Sequence, residues 1–211
     1  MGSATLSGYP VSTAAVTRPR WGIWSAEVYL VDPAELAGSV SLTIEDLVLA
    51  GTVVRGGPVE GSARYLITGG AGGWRRVIGP QGYRNDLGIK LSTVLADAAR
   101  AAGERVELDP ALERVLGPAW VRRAGQAWNT FGRLSLPWWV DDAGTTQVRV
   151  RPAPVVAAPS RLISRDRGRA LREVAADSLA AWAPGAVFDG SPIEHVTIHC
   201  EHGRARMQVL G

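Results

Sequence analysis

Lysine is almost missing from this chain of 211 residues: Lys90 stands alone among 23 basic side chains, and all the others are arginine. With Leu91 after it, Lys90 cannot complete the Gly-Lys-Ser/Thr ending of a phosphate loop. Cysteine is as scarce. Cys200 is the one thiol, which excludes an intramolecular disulfide framework and any zinc site built on several cysteines. No apolar run approaches the length of a membrane span. The opening residues Met1 to Pro10 have neither a basic start nor an apolar stretch, so the expectation is a chain made in a cytoplasm without an export leader. Phenylalanine occurs twice and tryptophan eight times. That balance, with arginine as the main cation, suits surfaces where planar side chains stack and fork onto a protein partner. The net charge of +3 is mild and spread along the chain, with no basic block of the kind that marks sequence-specific DNA binding.

Glycine, by contrast, is plentiful, and it clusters at Gly69, Gly70, Gly72 and Gly73, just after a predicted strand. A nucleotide-binding loop needs such glycines to open directly onto a helix N-terminus, where free N–H groups meet phosphate. Here Trp74-Arg75-Arg76-Val77-Ile78-Gly79-Pro80 follows, too bulky, too β-branched and too soon broken by proline to be that helix. The cluster reads as a sharp β-connection in which glycine supplies positive φ and close backbone approach.

Periodicity supplies the rest of the plan. Residues 21–31, 40–44, 47–55 and 63–68 alternate as strands, the third ended by Gly56-Gly57-Pro58, at the spacing of an antiparallel barrel or sandwich. Leu91, Val94, Leu95, Ala98 and Ala102 then fall at helical spacing, with Gly103 as the stop and Asn85, Asp86 or Ser92 as candidate caps. Asp109-Pro110 opens a shorter helix that Gly117-Pro118 ends, and residues 124–134 predict a third, burying Ala127, Trp128, Phe131 and Leu134. A hairpin follows over 137–151 around Asp141-Asp142-Ala143-Gly144, then a proline-rich link at 152–159. A Pro184-Gly185 turn and a closing hairpin, 194–200 with 204–210 across Glu201-His202-Gly203, complete the chain. The reading is an α+β protein of antiparallel β-barrel-like parts with a helical insertion. Its divisions are an N-terminal arm 1–20, a barrel-like part 21–84, a helical insertion 85–136 and a C-terminal β-rich part 137–211.

Candidate chemistry is thin. His199-Cys200-Glu201-His202 has the composition of a metal site, but strand alternation puts Cys200 with Val196 and Ile198 and sends His195 and His199 the other way. Asp141-Asp142 and Glu45-Asp46 read as turn residues rather than acid–base pairs. No nucleophile elbow, zinc-protease helix or kinase set occurs, so no catalytic, cofactor or metal residue is assigned. The tryptophans admit two uses, a sugar-stacking platform as in a carbohydrate-binding module or anchors of a subunit interface. Arg18, Arg20, Arg75, Arg76, Arg149 and Arg151 lie close to them in sequence and favour the interface, with Trp21, Trp24, Trp74, Arg75, Arg76, Trp138 and Trp139 as its candidates. Trp21 and Trp24 are expected to face opposite ways on a strand, and so are the neighbours Trp138 and Trp139.

The order of motifs carries a resemblance. Gly51-Thr-Val-Val-Arg-Gly-Gly, Gly69-Gly-Ala-Gly-Gly-Trp and Gly82-Tyr-Arg-Asn-Asp-Leu-Gly-Ile-Lys-Leu-Ser-Thr-Val-Leu occur in sequence. Val121-Arg-Arg-Ala-Gly, Trp138-Trp-Val-Asp-Asp-Ala-Gly-Thr-Thr and Ala183-Pro-Gly-Ala follow. From about Arg18 onward the chain resembles the tail baseplate hub proteins of tailed phages and prophages, the late-control-D and Mu-like tail hub group. The resemblance implies tail-tube-related barrel domains with helical insertions. It also implies a homo-oligomeric ring, usually a trimer, that joins the tail tube or a distal tail protein to a central spike or tail fibre protein. Such a virion protein borders the path of the ejected genome and has no cofactor. A distal tail or adaptor protein of the same tail is the neighbouring reading.

Overall fold

The computed structural model describes residues 4–156, 160–166, 168, 170–201 and 204–211. Six strands take up the first third of the chain: β1 (Ala4–Leu6), β2 (Tyr9–Pro19), β3 (Ser25–Leu30), β4 (Ser39–Ile44), β5 (Leu47–Val59) and β6 (Ser62–Gly69). Their order, β1-β4-β5-β6-β3-β2, closes on itself because β1 pairs with β2 as well as with β4. Every one of these pairings is antiparallel, so the unit is a closed six-stranded barrel. Alternation along the strands fills it. Leu6, Val28, Leu30, Leu42, Ile44, Leu49 and Ile67 are buried, while Glu27, Ser41 and Arg64 between them are not. With six strands the interior is only wide enough for side chains, and the barrel is solid.

Two features of the barrel differ from the sequence reading. Residues 4–19, expected as an arm, form β1 and β2; the β2 register shifts between Val11 and Thr13, and that bulge throws its apolar alternation out of phase. The β5 strand does not stop at Gly56-Gly57-Pro58. Beyond Thr52 it has β6 as its partner, with Pro58 opposite Ala63 and a register shift between Val53 and Arg55. Proline is tolerated where a strand lacks a second neighbour.

An insertion follows β6: β7 (Val77–Ile78), β8 (Gln81–Arg84), α1 (Leu91–Ala102), β9 (Val106–Leu108), β10 (Ala119–Arg122), β11 (Gly125–Gln126) and α2 (Asn129–Arg133). The α1 helix sits where its spacing predicts, burying Leu91, Val94, Leu95, Ala98 and Ala102, and Gly103 ends it at φ +75°. Its first turn is not capped locally. Glu113, 21 residues on, accepts the Ser92 N–H at 3.3 Å, which replaces the expected Asn85, Asp86 or Ser92 cap. Burial pushes the Glu113 carboxyl up, but the hydrogen bonds from Ser92 and neighbouring N–H groups outweigh it and hold the group below the ordinary value. Asp109 caps the turn at Pro110–Leu112 by accepting the Ala111 N–H at 2.9 Å, and that turn is a single 3₁₀ one that stops well short of Gly117. The third predicted helix shrinks to α2, five residues, because Gly125 and Gln126 are drawn into pairing with Ile78 and Val77.

The hairpin is present as β12 (Trp139–Val140) and β13 (Thr146–Val148), with β9 added in parallel on the far side of β13. The tail contributes β14 (Ser160–Asp166), β15 (Leu171–Ala176), β16 (Val187–Phe188), β17 (Ser191–Pro192), β18 (His195–Glu201) and β19 (Arg204–Leu210). The closing hairpin is β18 with β19, paired from His195↔Leu210 to Glu201↔Arg204; His202 and Gly203 of its turn lie outside the described residues, as do 157–159 of the proline-rich link. Strands β18, β19, β15 and β14 extend the barrel sheet outward from β2, giving ten strands in all. Thus β2 is shared: Tyr9 and Pro10 pair with β1 to close the barrel, and residues 13–19 pair with β18 to begin the outer sheet. The whole is mostly β, antiparallel and barrel-like as the alternation predicted, with two short helices where three were expected.

Candidate assembly interface

The glycine loop is an anion cradle whose anion is internal. The Gly70 and Gly72 backbones are left-handed, at φ +73° and +76°, and Gly73 begins a 3₁₀ turn, Gly73–Arg75. This turns the Ala71, Gly73 and Trp74 N–H groups to one side, where they donate to the Glu104 carboxylate at 3.0, 2.6 and 3.3 Å. Glu104 arrives there because Gly103 ends α1 just before it, and its own N–H donates to Ala99 O at 2.9 Å. Gly73 is indispensable to the approach: a Cβ there would lie 1.8 Å from the Ala102 carbonyl oxygen. The loop therefore holds a carboxylate of its own chain in the position that the phosphate comparison would reserve for a ligand.

Trp74, expected beside a neighbouring subunit, is instead fully buried in its own chain. It packs edge-on against Phe131 at 4.7 Å between ring centres and tilted against Trp138 at 6.2 Å, and its Nε1–H donates to Thr146 Oγ1 at 2.7 Å. Trp24 is buried as well, in a slot kept open by Gly51 and Gly69, where a Cβ would approach its ring to 2.7 and 2.5 Å. Trp138 and Trp139 do not divide between core and surface; both are buried, Trp138 stacked on Phe131 and Trp139 against Trp21. Trp138 precedes β12 and stacks on Phe131 of the insertion, while Trp139, within β12, is covered by Trp21, Arg149 and Arg151. Of the predicted anchors, Trp21, Arg75 and Arg76 are the ones left exposed.

The arginines that flank the tryptophans in sequence do meet them in space. Trp139 lies under Arg151 at 5.1 Å and Arg149 at 5.9 Å, and Trp21 lies under Arg20 at 5.2 Å. Arg18, 2% exposed, reaches Asp142 at 2.5 Å, and Arg20 reaches Glu194 at 2.5 Å. Arg151 donates to the carbonyls of Pro19 and Arg20 at 3.1 and 2.9 Å. Burial and the nearby Arg18 charge pull the Arg151 guanidinium down to about 10, still protonated at neutral pH. This seam ties the end of β2 to the turn and trailing arm of the 137–151 hairpin and, through Glu194, to the outer sheet. Asp142, read as a turn residue, is half of its central ion pair.

Beside the seam lies an open cleft of about 360 Å³, lined by Trp21, Ile23, Trp128, Trp138, Gln126 and Arg75. Trp128 was expected in the core, yet it is 43% exposed, because the shortened α2 begins after it and the Gln126 Oε1 accepts its Nε1–H at 2.6 Å.

On β18, Cys200, Val196 and Ile198 face the core, and His195 and His199 are exposed. Among the described residues no group of three or more His, Cys, Asp or Glu side chains is placed to hold a metal, and no helix is long and apolar enough to cross a membrane.

No protein-family model matches the chain, and no curated protein does. Solved structures do. The 43 kDa tail protein of prophage MuSo2 from Shewanella oneidensis superposes with a TM-score of 0.61 at 10% identity, covering 99% of this chain and 97% of that one. A tail protein from Neisseria meningitidis MC58 gives 0.59 at 13% identity, over 99% of this chain and 95% of that one. An E. coli component of the type VI secretion system, described as structurally similar to the T4 bacteriophage tail proteins gp27 and gp5, gives 0.64 at 11% identity, over 98% of this chain and 75% of its own. At these identities the likeness is one of fold, and the fold of this chain is that of phage tail proteins.

Proposed function

We propose that this chain is a structural subunit of a phage tail tip or baseplate, a hub that self-associates, usually as a trimer, and joins the tail tube or a distal tail protein to a central spike or fibre. The observation that carries the reading is the likeness to tail proteins over nearly the whole chain, barrel, insertion and outer sheet together. The solid barrel adds a condition. Side chains fill its interior, so DNA passes beside this chain and not through it, and the conduit is the space enclosed by several copies. In this reading the protein has no catalytic role, and its place is the virion.

A carbohydrate-binding role finds less support. Trp24, Trp74, Trp138 and Trp139 are occupied in the chain's own core, which leaves Trp21 and Trp128 as the two exposed indole rings among the described residues, too few for an extended sugar-stacking platform.

The test is assembly. Light scattering on the purified chain, alone and mixed with the products of its neighbouring genes, is expected to give a closed oligomer visible as a ring by negative-stain microscopy. A chain that stays monomeric in both settings and binds a polysaccharide would remove the hub reading.

A further inference from the structure

Leu87 is 94% exposed, the most exposed large apolar side chain among the described residues. It is not on a loose tail. It sits at the tip of a turn in which Asn85 Oδ1 accepts the Leu87 N–H at 3.0 Å and Asn85 O accepts the Gly88 N–H at 2.8 Å. The turn is anchored on both sides: Asn85 N–H donates to Pro118 O, Ile89 N–H to Gly117 O and Leu116 N–H to Ile89 O, all at 2.8 to 2.9 Å. The chain thus spends a set of fixed hydrogen bonds on presenting one leucine to water. Elsewhere on the molecule lies the tryptophan cleft, with the rings of Trp21 and Trp128 partly open and a volume of about 360 Å³. A rigid apolar knob and an aromatic hole on one molecule are the two halves of a heterologous contact, which closes into a ring when the rotation between copies is a whole fraction of a turn.

Charge matches the shapes. Asp86, next to Leu87, is exposed, and so is Arg75 in the cleft wall; neither has an ion-pair partner among the described residues. We propose that the Asp86-Leu87 turn of one copy docks in the cleft of a second copy of this chain, Leu87 between Trp21 and Trp128 and Asp86 against Arg75. The proposal rests on the self-association reading above and names its contact. Burying an aromatic-lined pocket around one aliphatic anchor, with an ion pair at its edge, is the pattern that concentrates binding energy in a few residues.

The experiment uses the full chain. Chains carrying Leu87→Cys and chains carrying Gln126→Cys are mixed and oxidised, the buried Cys200 being left in place. The expected result is a covalent dimer from the mixture and none from either chain alone. Leu87→Asp, which alters no buried group, is expected to weaken self-association at least tenfold by sedimentation with an unchanged circular dichroism spectrum. Asp86→Arg and Arg75→Asp are each expected to weaken it, and the two together to restore it. An oligomer that forms without the cross-link, or that Leu87→Asp leaves intact, overturns this contact while self-association stands. A chain that stays monomeric at every concentration, alone and with the products of its neighbouring genes, overturns both.

Discussion

The Glu104 carboxylate occupies the glycine loop, taking the Gly73 N–H at 2.6 Å and the Ala71 N–H at 3.0 Å across 31 and 33 residues of sequence. Backbone donors that converge this way are costly to leave unpaired when water is partly excluded. Glu104→Ala is therefore expected to lower stability by about 2 kcal/mol, and the melting temperature by about 6 °C. The emptied cradle should then accept an inorganic anion. Added sulfate or phosphate should raise the melting temperature of Glu104→Ala more than that of the parent chain, and equal salt responses would mean that the loop does not act as a cradle.

Gly73 and Gly79 separate close approach from mere turn preference. At Gly73 an added Cβ meets the Ala102 carbonyl at 1.8 Å, and at Gly79 it meets nothing within 4 Å. Gly73→Ala should cost about 3 kcal/mol, since the obstacle is backbone and cannot swing aside. Gly79→Ala should stay within about 0.5 kcal/mol of the parent. Urea denaturation of both variants checks the pair; similar midpoints would contradict it.

Trp74 and Trp21 should behave oppositely. Trp74→Ala removes a fully buried ring from contact with Phe131 and Trp138 and is expected to cost about 3–5 kcal/mol in the isolated chain. Trp74→Phe should cost about 1–3 kcal/mol, chiefly because Thr146 Oγ1 loses its donor. Trp21→Ala should cost under about 1.5 kcal/mol, since the ring is 39% exposed. Chemical unfolding of the three variants ranks them, and a Trp21 loss as large as the Trp74 loss would refute the assignment of core and surface.

Asp46 ties a barrel turn to the tail of the chain. Its Oδ2 accepts the Ser178 hydroxyl at 2.5 Å and its Oδ1 accepts the Leu179 N–H at 2.8 Å. Burial raises the carboxyl, but the Ser178, Leu179 and Ala180 hydrogen bonds prevail and hold it below the ordinary aspartate value. A depressed pKa contributes stability that is present above the unfolded value of about 4 and lost as pH falls through the folded one. The stability gap between the parent and Asp46→Asn should therefore be constant from pH 7 to 5 and shrink below about pH 4. A gap that persists unchanged to pH 2 would show that the charge is not what matters.

Much of the barrel was legible because its strands alternate cleanly: Val40, Leu42 and Ile44, or Ala63, Tyr65 and Ile67, each face inward at period two. The β2 strand was hidden by its bulge and by Arg18, a charge that faces inward on the same side as Ala14 and Val16. The α1 helix was visible from its spacing, but its cap was not, since Glu113 is distant in sequence and near only after the chain has folded. The proximity of arginines to tryptophans survived into the structure as stacked pairs at Trp21 and Trp139. Which tryptophans were inside could not be read from identity alone. Trp74 follows Gly72-Gly73 and Trp128 follows Gly125-Gln126-Ala127, and only the packing of Phe131 and Trp138 decides that one is core and the other a cleft wall.

The sharing of β2 has a mechanical consequence. All seven residues of β18 pair with β2, and on its other edge β2 pairs with β3 of the barrel. A pull on the outer sheet along its strands is carried into the barrel wall as shear across rows of hydrogen bonds that must fail together, not one at a time. The barrel seam is the weaker place, since β1 holds β2 by the pairs Thr5↔Pro10 and Leu6↔Tyr9 alone. Under load the seam is expected to yield first, with the shared strand whole and the barrel wall and outer sheet still joined through it.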